Sequence, residues 1–442
     1  MTNNYSILKI SAILMMAFQL FPQCIWGQSG TWDSDHYQED YTASGTTITI
    51  ANAGQLAKLA AVANGGADFN GITIILSADI DLSAHYWVPI GTATSPFNGT
   101  FNGSGYTITG MNINEEDLDN VGLFGYANSA SISNLTVSAG TVAGDENVGI
   151  LAGSLISCDI SNCTVSANRI SGTRNVSALV GYRDKITATD CSVTGTTAVS
   201  LANSANNYST LSSNQDKPCD VTLTGRTLHK DGKWNTICLP FDYDPAYGVL
   251  SGDCVVIYTL TNAVLEDRHL MLYFGDNVAG NGVMRAGVPY IIRWKTTGSD
   301  LVDPVFQGVV PRMTAPADYD NGALGEGRVR LRGTFSQQAL GADQSILFMG
   351  GSNKLYYPVS TTDIGAFRAF FQVGEGAAAR QLDDFQFIFD EEETTVISAT
   401  LNDRCKMTDD KWYTLSGHRI ANGQRPTAKG LYIYKGKKEV IK

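Results

Sequence analysis

The sequence predicts an all-β chain: a right-handed parallel β-helix (solenoid) with a short N-terminal capping helix, then an antiparallel β-sandwich and a small C-terminal β unit. Three observations carry this expectation. A segment recurs three times at a near-constant offset: NVGLFGYANSASISNLTV from Asn120, NVGILAGSLISCDISNCTV from Asn147 and NVSALVGYRDKITATDCSV from Asn175. Charged residues are 17% of the chain, below the ~25% of ordinary soluble domains, while Gly reaches 45, which favours turns and stacked strands over helices. The second half shows about ten short alternating segments parted by turn residues, the pattern of a sandwich. With 442 residues and 43% hydrophobic content, the chain exceeds one ordinary domain and can fill more than one core.

The repeat keeps its offset from end to end. Gly125, Gly153 and Gly181 fall 28 apart, as do Leu135, Cys163 and Cys191, and Val137, Val165 and Val193. Within Asn134–Val137, Leu135 and Val137 point one way and Thr136 the other, the period-two alternation of a strand. One unit cannot cover its own apolar face. Stacking units ~4.8 Å apart buries like positions on one another and pairs each backbone amide with the next coil. Leu135, Cys163 and Cys191 then form one inward ladder. Asn134, Asn162 and Asp190 mark a turn in which Asx side chains satisfy local backbone groups. The three glycines mark a corner that needs unusual dihedrals or a close approach. Upstream, Ile108, Met111 and Ile113 match Ile132, Leu135 and Val137 at a spacing of 24, which predicts an earlier coil. Residues 52–63 read as one helix, with Asn52 as N-cap and Leu56, Leu59 and Ala60 on one face. Because a solenoid exposes its core at its ends, this helix is expected to be a cap.

The expected organisation is a signal peptide at 1–27, the β-helix at 28–200, a Ser- and Asn-rich linker at 201–218, the β-sandwich at 219–390 and a C-terminal β unit at 391–442. In the leader, Lys9 precedes the apolar stretch Ile10 to Phe21, too short to span a bilayer, and Gly27 offers a small-residue cleavage point. Phe21, Pro22 and Gln23 before Cys24 do not suit a lipid-attachment box. No later segment approaches a membrane span, so an exported chain is expected, secreted or held at the outer-membrane cell surface. Its net charge of −12 argues against nucleic acid or anionic lipid as the main partner.

The N-V-G-x-L-x-G segments resemble the GLUG motif of secreted and surface bacterial proteins. The D-I-D-L…W-x-P-I-G…F-x-G-x-F-x-G-x-G-Y-x-I run from Asp79 to Ile108 resembles the lead-in of the same family. The resemblance spans about residues 46 to 195. It departs in a first copy one residue short and in Ser177, where Gly is usual. It implies a β-helical, surface-exposed module of the kind often assigned to adhesion. The segments at Trp234 (WNTICLPF), Ala286 (AGVPYIIRW) and Ala366 (AFRAFF) resemble a sandwich module of secreted proteins from Gram-negative anaerobes. WYTLSGHRI from Trp412 and KGLYIYKGKKEVIK from Lys429 resemble the C-terminal sorting tails of type IX-like secretion, against the simpler reading of a terminal hairpin. Such a tail implies surface anchoring.

Catalytic signatures are sparse. The five histidines, His36, His85, His229, His269 and His418, have no metal-ligand spacing, and neither a phosphate loop nor a nucleophile elbow occurs. No metal and no cofactor is expected. Past the leader, seven cysteines cannot all pair within one chain; they read as small buried hydrophobes with at most one disulfide, for which Cys238 with Cys254 is the first pair to test. Two carboxylate groups remain. Asp79 and Asp81 lie two apart on one strand, which suits an acid/base pair or calcium, although turn hydrogen bonding is the simpler account. Asp145 and Glu146 stack on the acidic run Glu115, Glu116, Asp117 and Asp119, an oxygen cluster that calcium could relieve, although solvated loop charge is the simpler account. For glycan contact, Tyr126 and Tyr182 occupy equivalent positions with Ser154 between them, against corner packing as the alternative. Trp87 is expected in the core. Three functions follow: non-catalytic binding or adhesion to a glycan or to a host or neighbour surface protein, a polysaccharide-active lyase or hydrolase using the carboxylates, and a structural surface spacer.

Overall fold

The structure, a computed structural model, describes residues 30–32, 36 and 40–389, except 247, 252–254, 267, 276, 280–281, 314–328, 342–344, 351–352, 359–361, 375–381, together with strands at 397–400, 412–414, 430–434 and 437–441. The expected leader, Cys24, Cys254 and Cys405 lie outside the described residues.

The 28-residue offset becomes a parallel β-solenoid. Its main sheet stacks Thr47–Ile50, Thr73–Leu76, Thr100–Asn102, Ser131–Ala143, Asp159–Ser171 and Thr187–Thr189 in chain order. Leu135 lies over Cys163 and Val137 over Val165, in register. A second sheet stacks Phe124–Asn128, Ala152–Ile156 and Val180–Asp184, and a third pairs Glu146–Val148 with Arg174–Val176. Inside, Phe69, Phe97 and Phe124 stack with ring centroids 5.5 and 5.3 Å apart. Trp87 joins this core, donating its indole N–H to Leu123 O at 3.1 Å.

The corners are left-handed. Asn120, Asn147 and Asn175 have φ of 61°, 59° and 55°, and Asn134, Asn162 and Asp190 have 54°, 51° and 51°. Asn tolerates this region better than bulkier residues. The asparagine amides bond from coil to coil: Asn162 Nδ2 donates to Asn134 Oδ1 at 2.9 Å, where local backbone bonding was expected, and Asn175 Nδ2 donates to Asn147 Oδ1 at 2.7 Å. The repeat glycines serve close approach. A Cβ on Gly153 would lie 2.2 Å from the carbonyl carbon of Asn120, and one on Gly181 2.4 Å from that of Asn147.

The earlier coil is real, but its register differs from the spacing of 24. Phe101 pairs with Ile132, Ile108 with Val137, Met111 with Ala139 and Ile113 with Val142. The cause is a longer turn at Gly103 to Tyr106, with Ser104 at φ 53° and Gly105 at φ 83°, where later coils turn on a single left-handed residue, Asn134 or Asn162. At the N-terminal end, the helix Ala53–Asn64 buries Leu56, Leu59, Ala60, Val62 and Ala63, and Asn52 Oδ1 accepts from Gln55 N–H at 2.9 Å. It caps the solenoid as expected.

Residues 201–218, expected as a linker, are structured. Thr197–Ala202 pairs in parallel with Cys219–Thr224, and Tyr208–Ser213 is a helix that buries Leu211. Asn207, 3% exposed, holds this turn by donating to Ala202 O and Phe335 O while accepting from Ala202 N–H. The Ser and Asn text that reads as a linker is thus spent on backbone hydrogen bonds.

Beyond it, a six-stranded sheet (strands from Asn235, Pro289, Val255, His269, Asp384 and Ile397, in spatial order) faces a four-stranded one (from Val329, Arg368, Ile346 and Leu355). Leu260, Leu272 and Phe274 of the first share one core with Leu331, Leu347 and Phe371 of the second. The pairing is antiparallel except between His269–Gly275 and Asp384–Phe389, which run parallel. In the C-terminal unit, Gly430–Tyr434 pairs antiparallel with Trp412–Thr414 and with Lys437–Ile441. No helix among the described residues is long and apolar enough to cross a membrane.

Candidate functional site

The solenoid places the expected site residues in three separate regions. Asp79 and Asp81 are exposed and both occupied by backbone: Asp79 Oδ1 accepts from Thr107 N–H at 2.8 Å and Asp81 Oδ1 from Ser83 N–H at 2.9 Å. The Ser83 amide, with its hydroxyl, holds the Asp81 carboxyl below its ordinary range. A carboxylate held ionised by such bonds is a poor proton donor.

Asp145 accepts from the Thr173 hydroxyl, one coil on, and Glu146 pairs with Arg174, its register partner. Asp119 Oδ1 receives the Glu146 N–H at 3.2 Å. One charge of the acidic edge is thus paired, at Glu146, and Asp119 and Asp145 accept hydrogen bonds from the next coil. Among the described residues no three His, Cys, Asp or Glu side chains converge as a metal set.

Tyr126 and Tyr182 each pair with Ser154 on adjacent strands, which puts them two coils, roughly 9–10 Å, apart. Both are half-buried. Ser154 is 1% exposed and donates its hydroxyl to Asn120 Oδ1 at 2.6 Å, so the step between the tyrosines is packed rather than open.

A polar recess lies elsewhere, on the main sheet. A cleft of about 550 Å³ is lined by Ser83, His85, Tyr86, Asn112, Asn114, Thr141 and Arg169, among others. That volume suits a small ligand. The coil-to-coil stacking builds its floor. Thr141 sits over Arg169 in register, and Asn112 Oδ1 accepts from Thr141 N–H at 2.9 Å. Arg169 is steadied by Asp216 at 3.1 Å. On one wall Tyr86 is 46% exposed, unusual for a large side chain in this fold. His85 packs against Trp32 (4.9 Å) and His36 (3.8 Å), and its buried Nδ1 has no hydrogen-bond partner among the described residues.

Sequence reading passed over this cleft because its residues come from four coils whose register was misplaced upstream. Only the resemblance of the Trp87 lead-in pointed near it, and Tyr86 beside it carried no signal of its own.

The chain is similar over 127 residues, 26% of its length, to halomucin of Haloquadratum walsbyi, at 34% identity. Over 56 residues, 11% of its length, it is similar to a protein named as a Gly-rich membrane protein of Evansella cellulosilytica, at 46% identity. The matches span 1% and 6% of those proteins' own lengths. No family model matches the chain, and no solved structure does.

Proposed function

We propose that this is an exported surface protein whose solenoid binds glycan in the cleft beside Tyr86, without catalysis. The observation that carries the reading is the cleft itself: one exposed aromatic wall facing hydroxyl, amide and guanidinium groups on successive coils. Sugar rings present apolar C–H patches to an aromatic face and hydroxyls to amides, which is the complement of such a wall and floor. Names such as halomucin and Gly-rich membrane protein support a surface setting. The resemblance of the Asn120, Asn147 and Asn175 segments to GLUG repeats, and of the tail to type IX-like sorting signals, supports the same reading of address and anchoring. Hydrogen-bonded and paired carboxylates at Asp79, Asp81, Asp145 and Glu146 weigh against the lyase or hydrolase alternative.

A glycan array followed by calorimetry on the hits tests this. Tyr86→Ala should weaken binding about tenfold, the loss of one stacking contact, while Asp79→Asn and Asp145→Asn leave it unchanged. Product release from polysaccharide that either Asp substitution abolishes would restore the enzyme reading. An empty array with an elongated scattering profile would leave a spacer.

A further inference from the structure

We propose that Cys163 and Cys191 form an oxidisable pair whose disulfide clips the last coil of the solenoid to the one before it. Asp159–Ser171 pairs in parallel with Thr187–Thr189 and with Ser192–Val193, giving Ser161 over Thr189 and Thr164 over Ser192. Cys163 therefore stands over Cys191. In-register neighbours on parallel strands are ~4.8 Å apart at Cα, inside the ~4.4–6.8 Å window that a disulfide spans without backbone movement. Both thiols are free, and each donates to a carbonyl of its own strand in the same way, Cys163 Sγ to Ser161 O at 3.4 Å and Cys191 Sγ to Thr189 O at 3.4 Å, one coil apart. Each thiol acts on the other: beside Cys163 the Cys191 thiol is lowered, while Cys191, together with burial, raises the Cys163 thiol. The ladder holds no third thiol, since Leu135 lies beneath Cys163.

The last coil is where a clip matters. Its main-sheet strand shrinks to two short pieces on either side of Asp190, and Ile186, Ala188, Cys191 and Val193 are only partly covered. The equivalent residues one coil earlier, Cys158, Ile160, Cys163 and Val165, are buried. Cys191 is the accessible member and Cys163 the enclosed one, which assigns the order of reaction. The Cys191 thiolate attacks one sulfur of a disulfide oxidant, a small-molecule or protein disulfide, and expels one thiolate. A mixed disulfide remains on Cys191. Cys163 gives up its proton, attacks Cys191 Sγ and expels the second thiolate. Two electrons pass to the oxidant, and the two protons leave on its two thiols.

The full chain, reduced and then treated with oxidised glutathione, is unfolded, alkylated, digested and mapped by mass spectrometry. The expected product is one Cys163–Cys191 cross-linked peptide, with Cys158 and Cys219 alkylated. Oxidation should raise Tm by about 5 °C, and C191S should fold but lose both the link and the shift. Recovery of Cys163 and Cys191 as alkylated thiols, a link from either to another cysteine, or a redox-dependent Tm that persists in C191S would overturn the proposal. The mapping on the unsubstituted chain stands whether or not C191S folds.

Discussion

At Gly153 the backbone of one coil runs over the Asn120 corner of the coil below, with no room for a methyl group. The two ends of the N-V-G-x-L-x-G text are thus one device: an Asn that turns the chain left-handed and a Gly that lets the next coil settle on it. Gly153→Ala should cost about 2 kcal/mol or more, as overpacking against backbone does, while exposed Ser161→Ala should stay within about 0.5 kcal/mol. Chemical denaturation of the two variants checks this. The same geometry accounts for Ser177. A Cβ on Gly122 would meet Gly149 O of the coil above at 2.4 Å, and one on Gly149 would meet Ala152 O of its own coil at 2.5 Å and Gly181 N of the coil above at 2.7 Å. Ser177 is on the last coil of the repeat, so this crowding from a following copy is missing. The departure from the repeat is where the stack ends.

Elements differ in how far local text determines them. The helix Ala53–Asn64 was legible because its cap and apolar face are local signals. The coil register before Ser131 was not, because Gly103 to Tyr106 forms a longer turn that looks like the surrounding Gly- and Asn-rich strand text. The structured stretch at 201–218 was hidden for a related reason: Asn207 works through contacts with Phe335, 128 positions away. In the sandwich, burial raises the Tyr243 and Tyr290 phenols from their ordinary 10.0 to about 12. Both are protonated in the native state over a range where the unfolded chain ionises. Their contribution to stability is full below pH ~10 and is lost as pH rises toward about 12. The denaturation midpoint should fall across that window in step with delayed phenolate absorbance, and Tyr290→Phe should make the fall shallower.

Across the whole molecule, the solenoid and sandwich are joined by a buried carboxylate. Asp242 accepts from Val176 N–H at 2.9 Å, from Ala286 N–H at 2.7 Å and from Arg312 at 3.1 Å, while Arg312 also reaches Thr173 O. Arg183 meets Asp244 at 2.6 Å, and Val310 enters the solenoid core. The sandwich thereby closes the C-terminal end of the stack as the helix closes the N-terminal end. Asp242→Ala leaves two buried amides without their acceptor and the half-buried Arg312 guanidinium without its carboxylate, at a cost of about 3 kcal/mol or more. It should split a single unfolding transition into two and open the chain to proteolysis near residue 176, as calorimetry and limited digestion would show.

The solenoid, its period, the ladder of Leu135, Cys163 and Cys191 and the helical cap are all legible in the residues alone, because stacking like on like writes the same residues at the same spacing. The upstream register, the Asp242 junction and the cleft beside Tyr86 emerge only from the folded chain. Each of these depends on groups brought together from different coils, and a longer turn or a buried salt bridge leaves no periodic trace in the chain.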